Sequence, residues 1–146
     1  MRQQIPNIIT LLNLFLGCLA IVSCFQFGTV ASISESGEML IEIPEKLYLA
    51  SLFIGLAAVV DFFDGYVARL LNVPSEMGKQ LDSLADVVSF GVAPACIVFQ
   101  FLRMSMANDV NAFSHNSIIL APAFLIPMAG AYRLARFNLD QTQTTY

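Results

Sequence analysis

The sequence predicts an all-α protein, a polytopic bundle of transmembrane helices, and two observations support this fold class. The 146 residues are 57% hydrophobic and only 12% charged, and the mean hydropathy is +0.70. A soluble domain of this length needs more charge to cover its surface. In addition, no charged residue occurs between Arg2 and Glu35, and this gap is long enough to cross a hydrocarbon core of about 30 Å.

Four apolar segments are each long enough for a membrane helix, at residues 7–27, 47–71, 80–102 and 117–137. Prolines at positions 94, 122 and 127 do not exclude helices there, because membrane helices tolerate proline when neighbouring groups satisfy the freed backbone. The connectors 28–46, 72–79 and 103–116 are predicted to be loops. The second is a tight connector, with Pro74 and Gly78 as its turn residues.

The distribution of basic residues predicts the orientation in the membrane. With the N-terminus inside, five basic residues lie on the cytoplasmic side and two, Lys46 and Arg103, lie outside; the five are Arg2, Arg69, Lys79, Arg133 and Arg136. This asymmetry satisfies the positive-inside rule. We therefore expect an integral protein of the cytoplasmic membrane, with the region around residues 61–86 at its cytoplasmic face.

Four aspartates flank the tight connector at similar distances from it. Asp61 and Asp64 are three residues apart and Asp82 and Asp86 are four apart, so each pair occupies one face of its helix. Folding the two segments into an antiparallel hairpin about Val73-Pro74 brings all four to a similar depth. Such a cluster repels itself at low dielectric and needs protons or a cation. Paired carboxylates suit hard divalent ions, and two such ions suit phosphoryl-type chemistry.

Other interpretations of these residues remain open. Asp82 and Asp86 are also compatible with solvated charges at a helix end, whereas Asp61 lies deep in an apolar segment. Intramembrane carboxylates are also found in ion or proton transporters, although acids along a transport path would be distributed rather than clustered. Gly65 and Ala68 leave the aspartate face free of bulk, which favours either close helix packing or room for a ligand.

A longer pattern includes these positions. The spacing D-x2-D-G-x2-A-R-x8-G-x3-D-x3-D is met in full between Asp61 and Asp86, and it resembles the signature of the CDP-alcohol phosphatidyltransferase family. Three further stretches resemble the branch of the family that makes phosphatidylserine: IPNIITLLNLFLG, LDSLADVVSFGVAPA and RLARFN. Relatives that make phosphatidylglycerophosphate usually have proline after the third aspartate, where this chain has Ser83. The resemblance covers residues 1–146 as one membrane domain.

The resemblance implies transfer of a phosphatidyl group from CDP-diacylglycerol to L-serine, with release of CMP. It implies two Mg²⁺ or Mn²⁺ ions held by Asp61, Asp64, Asp82 and Asp86, with Asp86 also acting as the general base on the serine hydroxyl. Family positions that contact the nucleotide correspond here to Asn7, Thr10, Asp64, Gly65, Ala68 and Gly78. Asn7 and Thr10 are equally compatible with ordinary interfacial polar residues.

Five further residues are candidates for binding phosphate or serine: Arg69, Lys79, Arg133, Arg136 and Asn138. Two arginines three apart on one helix face suit a carboxylate or a lipid phosphate. The alternatives are simple: a snorkelling cation for Arg69, a solvated loop residue for Lys79, and a basic stop at the membrane boundary for Arg133 and Arg136. Sister enzymes that use glycerol 3-phosphate or inositol are the nearest alternative function, and they require a different acceptor pocket.

The resemblance also implies six membrane helices, whereas this chain has room for four. We therefore expect a C-terminal truncation and, for these residues alone, weak or absent activity. The implied partners are the two substrates and the lipid bilayer; no nucleic acid is expected, and homodimerisation is left open.

Overall fold

A computed structural model describes residues 4–26, 31–33, 39–41, 45–71, 76–106 and 117–143. Its helices are α1 (Gln4–Phe25), α2 (Glu45–Leu71), α3 (Glu76–Asp86), a π-helical segment (Val87–Val92), α4 (Ala93–Ser105), a 3₁₀ segment (Ser117–Phe124) and α5 (Leu125–Gln143). The strands β1 (Ala31–Ile33) and β2 (Met39–Ile41) complete the described elements.

The predicted membrane helix bundle is confirmed. Three helices in the described part of the chain are long and apolar enough to cross a membrane, at Pro6–Phe25, Leu47–Val67 and Glu76–Ser105. The fourth predicted segment is helical but is not among these three. It begins as 3₁₀ helix, and the α5 helix that follows contains Arg133, Arg136 and Asp140, so its apolar stretch is short.

Part of the first predicted loop forms two short paired strands. Strands β1 and β2 pair antiparallel, with Ala31 opposite Ile41 and Ile33 opposite Met39. Each strand has only three residues, which is too short for an alternating pattern to be recognised in the sequence.

Helices α1 and α2 pack side by side in opposite directions, and α4 completes their apolar end. Cys24 of α1 lies there with Leu47 and Ala50 of α2 and with Cys96 and Met104 of α4. The amide of Gln100 donates to the Cys24 carbonyl at 2.7 Å, which satisfies a buried polar group within this cluster. The opposite end of the same helix pair contains the polar side chains of the candidate site.

The π-helical segment has a local cause in the sequence. Pro94 has no N–H, and its ring would clash with the carbonyl four residues earlier, at Phe90. Just before it, the Ala93 N–H bonds to the Val88 carbonyl, five residues back, which is the π pattern. The proline is thus accommodated by widening the helix, and α3, the π segment and α4 continue as one span.

Two further prolines, Pro122 and Pro127, lie near the junction between the 3₁₀ segment and α5. Pro122 lies inside the 3₁₀ segment, and Pro127 is the third residue of α5, where a helical N–H has no intrahelical partner to lose. A Cβ added at Gly91 would lie 3.3 Å from Pro127 Cα. The π segment therefore approaches α5 closely at this glycine.

A second close approach joins α1 to the π segment. A Cβ added at Gly17 would lie 2.9 Å from the Cα of Ser89, closer than real Cβ contacts. Ser89 is fully buried, and its hydroxyl donates to the Asn13 carbonyl at 3.1 Å. This contact determines where the helix that follows Asp86 lies against α1.

Candidate functional site

Three carboxylates from two helices converge at the polar end of the bundle. Asp61 lies on α2, and Asp82 and Asp86 lie one turn apart on α3. Each side chain offers an oxygen within 4.8 Å of those offered by the other two. All three are half-buried. The predicted meeting of the second and third apolar segments is therefore present in the structure.

The fourth aspartate has a different environment. Asp64 is only 6% exposed and accepts a hydrogen bond from the Thr10 hydroxyl of α1. Thr10 Oγ1 also lies 3.0 Å from the Pro6 carbonyl. Asp64 is not part of the three-carboxylate group, because its side chain is directed to α1. The sequence predicted a cluster of four carboxylates. The structure groups three of them, and the fourth, Asp64, lies beside the group and is hydrogen-bonded to the Thr10 hydroxyl.

Asn13 is a site residue that the sequence reasoning did not identify. Its side chain is fully buried, and its amide nitrogen donates to Asp61 Oδ1 over 3.4 Å. It lies one turn after Thr10, which itself lies one turn after Asn7, on the same face of a mostly apolar helix. Three polar residues with that spacing in a membrane helix were the available signal.

The three-carboxylate group has the properties of a divalent cation site. Asp86 Oδ1 is buried and has no hydrogen-bond partner, which is costly for a carboxylate oxygen. Three carboxylates at this separation repel one another, and oxygen ligands are those that Mg²⁺ and Mn²⁺ prefer. The residues present therefore fit such a cation.

A cavity of about 620 Å³ lies beside this group, between the π segment and α5. Asp86 forms part of its wall, together with Arg133, Arg136 and Asp140 of α5. The remaining wall is apolar or small: Val87, Phe90, Gly91, Ile126, Pro127, Gly130, Ala131, Leu134 and Phe137. Two predicted arginines are thus brought to the same cavity as Asp86, and Asp140 is a charged wall residue that the sequence reasoning missed.

The remaining predicted residues are distributed around the cluster. Asn138 donates from its amide to the Ser83 hydroxyl at 2.8 Å, which ties α5 to α3. Asn7 and Gly78 are half-buried, and Lys79 is exposed. Gly65 is exposed, and a Cβ there would meet nothing within 4 Å, so the site has open space at this position. The side chains of Ala68 and Arg69 lie outside the described residues.

Fold and site together define a membrane-embedded helix bundle with a carboxylate cluster and a charged cavity between its helices. The family model for CDP-alcohol phosphatidyltransferase matches residues 3–146. The chain belongs to the CDP-alcohol phosphatidyltransferase family. Divalent-metal dependence is general in this family, and the carboxylate cluster agrees with it.

Similar curated proteins have one name in common, CDP-diacylglycerol–serine O-phosphatidyltransferase. The protein of that name from Saccharomyces cerevisiae is 40% identical over 140 residues, which cover 96% of this chain and 43% of the relative. One from Helicobacter pylori is 33% identical, covering 92% of this chain and 46% of the relative. One from Bacillus subtilis is 39% identical, covering 57% and 42%. The chain spans less than half the length of these relatives, and no solved structure matches it.

Proposed function

We propose that this protein transfers the phosphatidyl group of CDP-diacylglycerol to L-serine, giving phosphatidylserine and CMP. One observation supports this most directly: Asp86 belongs both to the three-carboxylate group and to the wall of the charged cavity. A single carboxylate thereby joins a site suited to a metal-bound pyrophosphate with a site suited to a small charged acceptor. The names of the similar proteins support the same reaction.

The four aspartates have different tasks in this proposal. Asp61, Asp82 and Asp86 hold one or two divalent cations, Mg²⁺ or Mn²⁺, which supply positive charge opposite the pyrophosphate and the departing CMP. Asp64, which accepts a hydrogen bond from Thr10, faces α1 and contributes to nucleotide binding in this proposal. The open space at Gly65 leaves room for the nucleotide there.

The proposed reaction is a single phosphoryl-type transfer. The serine hydroxyl oxygen attacks the phosphorus next to the diacylglycerol, the bond from that phosphorus to the oxygen of CMP breaks, and CMP leaves with the electron pair. Asp86 accepts the hydroxyl proton. Asp86 lines the cavity, and its Oδ1 has no hydrogen-bond partner in the protein, so its carboxylate suits a substrate hydroxyl within hydrogen-bond reach.

The cavity charges favour serine over the other acceptors. Arg133 and Arg136 suit a carboxylate, and Asp140 on the same wall suits an ammonium group. A zwitterion presents both charges, whereas glycerol 3-phosphate presents only negative charge and inositol presents none. Asp140 is repulsive to a phosphate-bearing acceptor, and repulsion of this kind contributes to specificity.

The proposed location is the cytoplasmic membrane, with the site open to the cytoplasm. Lys79 lies on the helix that carries Asp82 and Asp86, and Arg133 and Arg136 line the same cavity as Asp86. These basic residues satisfy the positive-inside rule if the carboxylate end faces the cytoplasm. Serine and the cytidine nucleotide are water-soluble groups, so this orientation gives both of them access to the cavity.

An acceptor comparison tests the proposal. Membranes from cells producing the full-length protein, in a host background without serine-transfer activity, receive CDP-diacylglycerol and Mn²⁺ or Mg²⁺ with labelled serine, glycerol 3-phosphate or inositol in turn. We expect label in lipid from serine only, dependent on the metal and accompanied by CMP. Label from glycerol 3-phosphate or inositol alone contradicts the serine assignment. An Asp61→Asn variant serves as the inactive control.

A further inference from the structure

From a third helix, Asn13 contacts Asp61 and the segment that follows Asp86. Its side-chain amide donates to Asp61 Oδ1 of α2 at 3.4 Å. Its main-chain carbonyl accepts from Ser89 Oγ at 3.1 Å, and Ser89 is the third residue of the π segment that begins directly after Asp86. One residue of α1 therefore links the element holding Asp61 to the element that continues from Asp86.

Packing alone does not account for an asparagine here. The Asn13 side chain is fully buried, and its Oδ1 has no hydrogen-bond partner. A buried acceptor without a partner is destabilising, and an apolar side chain of similar size would fill the same space without that cost. A polar group retained under these conditions is expected where it acts on a functional neighbour, and the neighbour in contact is Asp61.

We propose that Asn13 is a positioning residue that sets the distance and orientation of Asp61 relative to Asp86, so that the two carboxylates bind a divalent cation together. This inference rests on the cation site in the proposed function. The amide N–H restrains Asp61 at the separation required for a shared ion, and the Ser89 contact holds the π segment, and with it Asp86, against α1. Outer groups that orient metal ligands commonly change affinity by 10–100-fold when removed.

The test measures Mn²⁺ binding directly, by the electron paramagnetic resonance signal of free Mn²⁺ during titration of the purified protein in lipid nanodiscs. We expect Asn13→Ala to raise the Mn²⁺ concentration at half-saturation roughly tenfold. Ser89→Ala keeps the Asn13 side chain and removes only the contact to the π segment, so a smaller rise of about threefold is expected. If Asn13→Ala does not fold, the Mn²⁺ midpoint of Ser89→Ala tests the proposal instead. A raised midpoint supports the proposal, and the wild-type midpoint overturns it.

Gln100→Ala is the matched control. Gln100 is also a buried amide at an α1 contact, and it donates to the Cys24 carbonyl, but it lies at the apolar end of the bundle. We expect this variant to lower the unfolding temperature and leave the Mn²⁺ midpoint unchanged. An Asn13→Ala protein with the wild-type midpoint overturns the proposal, as does an equal rise in Gln100→Ala.

The Mn²⁺ measurement does not depend on the acceptor. If no phosphatidylserine is formed but the Mn²⁺ midpoint shifts as expected, the proposed reaction fails and the role of Asn13 stands. If phosphatidylserine is formed and the midpoint does not shift, the role of Asn13 fails and the reaction stands.

Discussion

Each aspartate of the site has a different neighbour, and the neighbour determines what the carboxylate is free to do. Asp64 is engaged by a hydroxyl of α1, and Asp61 accepts from the amide of Asn13. Asp86 has a buried oxygen with no protein partner and also lines the cavity. An oxygen of Asp86 without a hydrogen-bond partner, on a residue that lines the cavity, is what the proposed role as proton acceptor requires.

Replacing Asp86 tests its assignment as the base. We expect Asp86→Asn to lower kcat by roughly 10²–10⁴-fold, because an amide cannot take the serine proton and is a weaker cation ligand, while CMP still binds. Serine transfer and CMP-dependent thermal stabilisation measure the two effects. The control is Glu76→Gln, which changes an exposed carboxylate on the same helix. Activity of Asp86→Asn within threefold of wild type removes Asp86 as base.

Asp140 provides a separate test of acceptor recognition. We expect Asp140→Asn to raise the KM for serine roughly tenfold, because a charge-assisted hydrogen bond to the ammonium group is lost. The KM for CDP-diacylglycerol should stay constant, since Asp140 lies on α5 in the cavity wall and outside the carboxylate group. An equal rise in both KM values indicates a general structural effect and contradicts the specificity role.

At the scale of elements, prolines and glycines determine how the helices meet. Pro94 lies two residues after the end of the π segment, and this segment forms one wall of the cavity. Gly91 and Gly17 lie at close contacts between this segment and its two neighbours, α5 on one side and α1 on the other. The π geometry therefore bears on function, because it shapes the cavity wall directly after Asp86.

Gly17 and Gly55 form a matched pair for testing the close approach. A Cβ at Gly17 would meet Ser89 Cα at 2.9 Å, whereas one at Gly55 would meet nothing within 4 Å. We expect Gly17→Ala to destabilise by about 1–3 kcal/mol through overpacking. Gly55→Ala should be neutral or stabilising by up to about 1 kcal/mol, since alanine favours helix.

Thermal unfolding in nanodiscs measures both glycine variants. Gly17→Ala should also weaken Mn²⁺ binding, because it displaces the π segment that follows Asp86. Equal unfolding temperatures for the two variants contradict the close contact between α1 and the π segment.

At the scale of the whole molecule, the bundle has an apolar end and a polar end. Cys24, Leu47 and Met104 pack together at the first, and the carboxylates lie at the second. If the charge asymmetry sets orientation as proposed, the polar end faces the cytoplasm. The start of α3 and the end of α4 must then lie on opposite sides of the membrane, because together they form one candidate span.

Cysteine labelling tests this orientation. Cys24 and Cys96 are buried and Cys18 is exposed. Both variants with an added cysteine are therefore made in a Cys18→Ala protein, which also measures background labelling. Lys79→Cys and Ser105→Cys place single exposed thiols near the two ends of the span. A membrane-impermeant maleimide should label Lys79→Cys only in inside-out vesicles and Ser105→Cys only in right-side-out vesicles. The reverse pattern contradicts the cytoplasmic site.

The sequence alone determined the class of fold, the order of the helices and the grouping of the aspartates on two of them. These features depend on the length of apolar runs and on helical spacing, both of which are local. The positions near the prolines were predicted to stay helical, and they do, but as π and 3₁₀ segments. A proline in a helix leaves more than one outcome open, a kink or a change of hydrogen-bond pattern, so its position alone did not predict the helix type.

Only the tertiary structure decided which aspartates meet. Asn13 and Thr10 are 48 and 54 residues from the aspartates they bind, and no spacing rule connects α1 to α2. The rotation of each helix about its axis depends on packing, as at Gly17 against Ser89, and that rotation directs Asp64 to α1 and Asp61 to Asp82 and Asp86. The cavity also depends on helix packing, because its charged wall forms where α5 packs against the π segment.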